Sequence, residues 1–448
     1  MRKRTVQLLL LTLFTALASP TCWAQSQKKE TVLVLTHANL IDGASPEVLP
    51  DATIVVRGGR IESVATNAAA APPGAQVVDI KGRWLLPGFV DAHAHLNDLA
   101  AARRALQYGS TTVRVLGVEH FIDVGMRELH NAGWTDLPTV VAAGYQIRPD
   151  IGTAEPGFLL DLPNLNRFVS GLRGADNLRL VVRVLAEHHV DLIKILATER
   201  AEPPDTDPLK RTFTDEEMSA IVDEARKVGL NVAAHAHSDE GARGAVLAGV
   251  HSIEHGTYLS DETLTLMKAR GTYLVPTIAT WPDDNGDNPV FHRQARVMQP
   301  HARDSAARAW KIGVKVVAGT DITYGATGLG HSMADEIAAL VQIGMPPMEA
   351  IKAGTSVAAE CLGIEKRTGT IKPGMTADFV AVDGDPVANI EALQDLVLVV
   401  HDGKVIVNHL TPNLSANESV GVLHENGRLR LKTDGGRSVE LNPPKPMQ

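Results

Sequence analysis

The sequence predicts an α/β fold, a (β/α)8 TIM-like barrel with a small β-sandwich domain built from both chain ends. Short β-type runs separated by glycine-containing turns occur near both ends of the 448-residue chain, which indicates a sheet domain. Between these ends, short apolar runs alternate with amphipathic helical stretches, which is typical of βαβ units and a parallel sheet. A barrel of about 250 residues with a smaller partner fits the chain length.

The predicted domain boundaries are residues 25–86 and 369–448 for the small β-sandwich domain and residues 87–368 for the barrel. The turns at 57–60 and 402–404 separate β-type runs in the two parts of the sandwich. The tail from 411 to 448 is polar and contains three short strand-like runs. Its place relative to the sandwich is left open.

The barrel region supplies the predicted strands in sequence. A helix between two of them is predicted from the capping box at 214–217, with Gly229 as its stop signal. The strand runs are Leu85–Val90, Thr112–Leu116, Val190–Leu196, Asn231–His235, Ser252–His255, Tyr273–Pro276 and Val314–Gly319.

The first 24 residues are predicted to be a signal peptide. A basic start at Arg2–Arg4 precedes the mostly apolar run 8–18, and small residues end at Ala24, a plausible cleavage position. The apolar run is far shorter than the roughly 20 residues that span a bilayer. We therefore expect a cleaved, periplasmic or secreted protein. Cleavage removes three cations and takes the formal net charge from −9 to −12, which argues against nucleic acid or a membrane as a partner.

The strongest local signal for chemistry is the pair His93 and His95, within Asp91-Ala-His-Ala-His95 directly after an apolar run. Histidines at positions i and i+2 of a strand project from the same face. Two imidazoles on one face can share a divalent metal such as zinc. Two solvent-facing histidines in a loop would give the same pattern, so this motif alone does not decide.

Four further residues capable of binding metal or transferring protons stand at the ends of apolar runs: Lys194, His235, His255 and Asp321. Each marks a predicted C-terminal strand end, where barrel enzymes build their active sites. A single buried histidine is usually satisfied by hydrogen bonds within the core. That interpretation does not account for four histidines, a lysine and an aspartate placed in this order.

Lys194 stands alone among apolar neighbours, where a charged amine without solvent is costly. One interpretation is an end-of-strand lysine that reaches water or a carboxylate. The other is a neutral, desolvated amine that reacts with CO₂ to form a carbamate. Such a carbamate would be an anionic ligand with two oxygens, able to bridge two metals.

These motifs resemble those of the amidohydrolase superfamily, and most closely its imidazolonepropionase-related branch, which includes prolidase and Xaa-Pro dipeptidase-like enzymes and related amide hydrolases. The resemblance extends from Leu33 to about Asn408. It rests on the segments Leu86–His95, Asn231–His237, Ser252–Gly256, Ala318–Asp321 and Thr368–Asp378.

The resemblance implies a role for each candidate residue. His93 and His95 would bind the more buried of two divalent metals, which we expect to be zinc, and His235 and His255 the second. Carboxylated Lys194 would bridge both. Asp321 would bind the first metal and act as the catalytic proton carrier. Imidazolonepropionases lack the lysine bridge and are intracellular, so Lys194 and the signal peptide favour the binuclear, dipeptidase-like members.

The expected function is hydrolysis of an amide or peptide bond next to a free carboxylate, as in a dipeptide, an N-acyl amino acid or an amide-linked xenobiotic. A metal-bridging hydroxide would attack the carbonyl. The same site could serve a lactonase or cyclic-amide hydrolase, and a third alternative is a metal-binding protein without catalysis. A homo-oligomer is compatible with the sequence. The candidate substrate contacts, each with a structural role as alternative, are His237, Tyr145, Arg148, Tyr258 and His331.

Overall fold

The computed structural model describes residues 31–66, 71–201, 205–280, 289–325 and 332–410, together with strands at 421–425, 428–432 and 438–441. For residues 280 and 289–295 and for the last three strands, it describes the backbone alone. The predicted signal peptide lies outside the described residues. Among the described helices, none has the length and apolar character that crossing a membrane requires.

Nineteen strands occur in the described part of the chain. They are β1 Val32–Leu40, β2 Leu49–Arg57, β3 Arg60–Thr66, β4 Gln76–Asp79, β5 Trp84–Pro87, β6 Phe89–Ala94, β7 Ser110–Val115, β8 Thr139–Ala142, β9 Gln146–Ile147, β10 Leu192–Leu196, β11 Asn231–Ala236, β12 Ser252–His255, β13 Tyr273–Val275, β14 Phe379–Val382, β15 Leu396–His401, β16 Lys404–Asn408, β17 Gly421–Glu425, β18 Arg428–Lys432 and β19 Ser438–Leu441.

Twelve α-helices lie in the same described part, most of them between barrel strands. They are α1 Leu99–Gln107, α2 Ile122–Asn131, α3 Ile151–Ala154, α4 Pro156–Asp161, α5 Ala175–Glu187, α6 Asp215–Lys227, α7 Asp239–Ala248, α8 Asp261–Arg270, α9 Pro289–Ile312, α10 Met333–Gln342, α11 Pro347–Ala353 and α12 Ser356–Cys361. Helix α6 starts at the predicted capping box, in which Thr214 and Glu217 exchange both side-chain-to-backbone hydrogen bonds.

Parallel strands form the barrel. Strands β6, β7 and β8 pair in order, and β9 to β13 form a second parallel run. The Asp191 amide donates to the Ala142 carbonyl (2.7 Å), linking β10 to β8. The predicted strand at 314–319 forms isolated bridges instead of a regular strand, and these connect β13 to residue 316 and β6 to residue 322. Together these contacts close the ring, and the barrel prediction is confirmed.

Both chain ends contribute to one eight-stranded sheet, in the order β16-β15-β14-β5-β1-β2-β3 with β4 paired to β1. The sheet folds back on itself, because the edge strand β3 meets the segment before β14 through the hydrogen bond from the Ile61 amide to the Met375 carbonyl (2.9 Å). Leu35, Ile54 and Leu398 are among the buried residues that fill its interior. The strands of the tail, β17 to β19, pair with one another in a separate antiparallel sheet.

The chain passes from the sheet to the barrel at Gly88. The sequence predicted one continuous strand over Leu85–Val90, and the structure divides it into β5, which pairs with β14, and β6, which pairs with β7. A Cβ atom at Gly88 would lie 2.3 Å from Oγ1 of Thr111, so only glycine fits this crossing. The C-terminal residues of β6 therefore follow only a few residues after β5, a strand of the small domain.

Candidate active site

The candidate metal ligands lie together at one end of the barrel. His93 lies near the end of β6 and His95 directly follows that strand, while Lys194, His235 and His255 lie on β10, β11 and β12. Because these strands are parallel, their C-terminal ends meet at the same opening. Asp321 follows the segment that closes the barrel, and its amide donates to the carbonyl of His93 (2.6 Å).

The Asp321 carboxylate is the centre of the first group of side chains. Its Oδ1 lies 3.2 Å from Nε2 of His93 and 3.1 Å from Nε2 of His95. Its Oδ2 lies 4.0 Å from Nδ1 of His255. His93, His255 and Asp321 thereby form a cluster whose ligand atoms could hold one metal ion.

The neighbours of His93 and His95 favour a proton on one particular nitrogen of each ring. Nδ1 of His95 donates to the Gly117 carbonyl (2.8 Å), and Nδ1 of His93 lies 3.0 Å from Oε2 of Glu254. Both Nδ1 atoms face acceptors, which favours a proton on Nδ1 and leaves lone pairs on both Nε2 atoms. Two lone pairs and the Asp321 oxygen then converge, an arrangement that a bound cation would stabilise. The residues present therefore fit a bound metal.

A second group of rings surrounds His255. Its ring centroid lies 4.6 Å from that of His235 and 5.0 Å from that of His237. Nε2 of His235 donates to the Glu199 carbonyl (3.2 Å), so its lone pair is on Nδ1. These imidazoles supply further neutral nitrogen donors beside the Asp321 cluster, which suits a second metal position.

Lys194 is 2 % exposed, and its amine makes no hydrogen bond or ion pair with another described residue. Burial lowers the pKa of this amine to about 8, although the carboxylates of Glu254 and Asp321 partly oppose the shift. An unpaired ammonium is costly in such a place. The neutral amine, in contrast, is the form that can react with CO₂.

Burial also lowers the pKa of His93, His235, His237 and His255, which keeps these four imidazoles neutral and available as ligands. It lowers the pKa of His93 to about 4 and that of His237 to about 3. For Asp321, burial acts in the opposite direction, but the adjacent imidazoles of His93 and His95 outweigh it and hold the pKa of the carboxyl well below its usual range. Neutral imidazoles and an ionised carboxylate are the protonation states that metal binding needs.

Two of these side chains depend on an unusual backbone conformation. His255 has φ = 69° and Asp321 has φ = 56°, both in the left-handed region that non-glycine residues rarely adopt. Residues i and i+1 of a strand normally point to opposite faces. The left-handed turn at His255 allows it and its neighbour Glu254 to approach the same cluster.

The sequence analysis did not identify the residues behind His93. Glu254 is fully buried and pairs with Nη2 of Arg114 at 3.0 and 3.2 Å. The contact from Glu254 to His93 is short but poorly aligned as a hydrogen bond, so its effect is mainly electrostatic. Two opposite charges inside apolar strand runs, Arg114 in β7 and Glu254 in β12, were the available signal.

Asp91 is a second buried acid whose role the sequence pattern did not indicate. It is fully buried below His93 and accepts hydrogen bonds from the hydroxyls of Thr320 (2.6 Å) and Tyr324 (2.8 Å). Burial raises its pKa to about 6 against these hydrogen bonds. Since Asp91 also accepts from the backbone of both His93 and Thr320, it ties β6 to the segment that carries Asp321.

The proposed substrate contacts are placed in different ways. His237 lies within the cluster, and the Tyr258 amide donates to its carbonyl (2.9 Å). Tyr145 is fully buried and donates its hydroxyl hydrogen to Asp161 (2.6 Å). Arg148 binds Asp150 through two nitrogens. His331 lies outside the described residues, and the substrate roles of all five remain predictions.

Comparison with known protein families shows which family the chain belongs to. The model of the amidohydrolase family matches residues 84–406. The chain belongs to the amidohydrolase family.

Members of this family with known names support the predicted branch. A solved Xaa-Pro dipeptidase with bound methionine in its active site is 28% identical, with a TM-score of 0.74, over 84% of this chain and 99% of its own. Imidazolonepropionase from Mesorhizobium japonicum is 28% identical over 77% of this chain and 90% of its own length. Ochratoxinase from Aspergillus niger is 31% identical over 51% of this chain and 48% of its own. This amidohydrolase is accordingly an enzyme of the type that acts on C–N bonds, as predicted.

Proposed function

We propose that this amidohydrolase is an exported enzyme that uses two divalent metals, expected to be zinc, to cleave an amide bond next to a free carboxylate. The observation that carries the proposal is the convergence of the Nε2 atoms of His93 and His95 on the Asp321 carboxylate, at 3.1 to 3.2 Å. These atoms lie at the catalytic end of the barrel. A cation bound between these three atoms would stabilise their close approach.

The candidate metal ligands divide between two metal positions. His93, His95 and Asp321 would hold one metal, His235 and His255 the other, and carboxylated Lys194 would connect them. Two bound divalent ions would acidify a shared water and polarise the scissile carbonyl. The buried, unpaired amine of Lys194 supports carboxylation, because only its neutral form is nucleophilic toward CO₂.

Asp321 is the proton carrier in this proposal. Its carboxylate is ionised and 20% exposed, so it can accept a proton from the attacking water. The same oxygen atoms can then deliver that proton to the leaving nitrogen. Glu254 is 0% exposed and occupied by Arg114, so it cannot reach the substrate. The neutral histidines do not compete for the proton, since burial lowers the pKa of His93 and His237.

The substrate carboxylate requires a cation close to the metal cluster. Arg200, which follows β10, is close enough to affect the pKa of Lys194 and of His237. Arg148 binds Asp150 through two nitrogens, and Arg200 is the cation that the proposal assigns to this role. The Xaa-Pro dipeptidase relative binds methionine, a free amino acid with an apolar side chain, in its active site. Both observations favour a substrate with a free carboxylate.

The test compares kcat/KM for an N-acyl amino acid with an apolar side chain against its C-terminal amide and its methyl ester. A strong preference for the free acid, reduced by Arg200→Gln through KM, supports the proposal. A matched control is Arg243→Gln, on helix α7. Equal rates for acid, amide and ester would contradict carboxylate recognition, and faster hydrolysis of a lactone or cyclic amide would favour the lactonase or cyclic-amidase alternative.

A further inference from the structure

A second group of potential metal ligands lies away from the active site, where a barrel helix meets the small domain. It consists of His130 in the last turn of α2 and His401 and Asp402 at the end of β15. Helix α2 connects β7 to β8 and runs antiparallel to them, so its end lies at the N-terminal end of the barrel strands. This group, the junction cluster, therefore lies at the barrel end opposite the active site.

We infer that the junction cluster is a structural site for a divalent cation of the zinc type, which joins helix α2 to the β15–β16 hairpin. Three ligand atoms form its triangle: Nε2 of His130, Nε2 of His401 and Oδ2 of Asp402. Their separations are 3.2 Å between the nitrogens, and 2.8 and 3.8 Å from Asp402 to His130 and His401. Ligands about 2.0–2.1 Å from a tetrahedral ion are about 3.3 Å apart.

The protonation of His401 directs a lone pair into this triangle. Its Nδ1 lies 2.9 Å from Oδ1 of Asp378, and that carboxylate oxygen also accepts from the amide of Asp402 (3.0 Å). The other oxygen of Asp378 accepts from Thr368 (2.9 Å). A proton of His401 therefore lies on Nδ1, and Nε2 faces the other two ligand atoms. A carboxylate behind a histidine in this manner is the usual outer partner of a metal ligand.

Without an ion, hydrogen bonds join the atoms of this triangle. Nε2 of His130 lies 2.8 Å from Oδ2 of Asp402, and Nε2 of His401 lies 3.2 Å from the same nitrogen. Two carboxylates, Asp378 and Asp402, accompany two imidazoles, with the exposed Arg367 as a nearby positive charge. A divalent ion would take the place of the protons between these atoms and bind all three, with their release to solvent.

Burial and access both suit a structural ion. His401 is fully buried and His130 is 9% exposed, whereas the side chain of Asp402 is 30% exposed. The ion can enter past Asp402, and water can supply a fourth ligand there. Asp402 and Gly403 have φ values of 49° and 71°, so the tight turn holds the carboxylate against the helix.

The test measures bound zinc per chain by mass spectrometry of the purified holoenzyme, at buffered free zinc that saturates the active site. Asp402→Asn removes the charge and keeps a residue that tolerates positive φ, and His130→Gln removes the nitrogen ligand. Asp136→Asn, at an exposed carboxylate that pairs with Arg103, is the matched control. The wild type and the control should bind one zinc more than either junction variant, with the same kcat in all four proteins.

Thermal unfolding gives an independent readout. Once the active site is loaded, further zinc should raise the Tm of the wild type and of the control, but not that of the junction variants. Equal zinc counts in wild type and Asp402→Asn would overturn the inference and show that protons, not a metal, join the three ligand atoms. If His130→Gln loses activity, its packing has been disturbed, and the zinc count of Asp402→Asn decides.

Discussion

Oε2 of Glu254 lies 3.0 Å from Nδ1 of His93, the nitrogen that faces away from Asp321. Glu254 is itself held by Arg114, so the orientation of the first candidate metal ligand depends on a buried ion pair that no substrate can touch. Burial would keep such a carboxyl protonated, but the Arg114 guanidinium outweighs it and holds the pKa of Glu254 far below its usual range. The ionised carboxylate then makes the His93 imidazole a stronger ligand.

We predict that Glu254→Gln weakens metal binding at the His93 position. The neutral amide no longer polarises the imidazole, and loss of such an outer partner typically costs about 10- to 100-fold in metal affinity. Competition with a chelator measures the effect directly. Glu336→Gln is the matched control, because burial raises the pKa of Glu336 to about 8 and this carboxyl binds backbone amides rather than a ligand. Equal chelator resistance of both variants would remove Glu254 from this role.

Lys194→Ala should abolish most activity and weaken binding of the second metal. Without the bridging anion, two cations face each other with less compensating charge. Small carboxylic acids should partly restore activity by occupying the vacated space, whereas Lys210→Ala, at an exposed lysine, should behave as wild type. Near wild-type turnover with two bound metals and no added acid would make Lys194 purely structural.

Metal uptake by the metal-free protein should depend on pH and bicarbonate. The pKa of Lys194 is lowered to about 8 by burial, so the reactive neutral amine grows from a minor to the major form as pH rises through that value. Loading should therefore be more complete one unit above about 8 than one unit below, and bicarbonate should increase it. His93 and His237 stay neutral across this range because their pKa values lie at about 4 and 3. A bicarbonate effect that persists in Lys194→Ala would argue against carboxylation.

Asp321→Asn should lower kcat by roughly 10²- to 10⁴-fold while leaving the fold intact, since the amide cannot shuttle a proton. The hydrogen bond from the Asp321 backbone amide to the His93 carbonyl does not involve the side chain, so the substitution preserves it. Steady-state kinetics with metal content measured in parallel is the check. A rise in KM with kcat preserved would exclude the proton-transfer role.

The mature protein should begin near Gln25 and be found outside the cytoplasm. The basic start, short apolar run and small residues before Ala24 support cleavage there. Intact-mass measurement of the native protein tests this, and Ala24→Asp should cause the precursor to accumulate. A fully processed pool that still carries residues 1–24 would sink the prediction.

Sequence reasoning located the site because parallel strands bring their C-terminal ends together. His93, Lys194 and His235 each lie within or at the end of a recognisable apolar strand run, so strand position predicts that they meet. The approach of Glu254 and His255 to the same cluster could not be predicted, because it depends on the left-handed backbone of His255. Strict alternation along the strand would have sent one of them away.

The fold, like the site, could be predicted where the signal lies within a few neighbouring residues, but not where it depends on residues distant along the chain. The helix start at Thr214 was predictable, since the capping box is complete within four residues. The hydrogen bond from the Tyr145 hydroxyl to Asp161 could not be predicted, because Asp161 belongs to a loop helix that the pattern did not reveal. Gly88 divided a run that looked continuous, and only the packing of Thr111 from another strand explains why.

The pairing of β5 with β14 has a consequence for how the chain acquires its structure. Leu85 lies opposite Ala381, and the whole barrel sequence separates them. The N-terminal strands therefore keep an open edge until the ribosome has made the last part of the enzyme, and such edges promote aggregation. Long-range pairing of this kind also slows folding. Truncation after the barrel would remove β14, and β5, the strand that leads into His93, would then lack its neighbour.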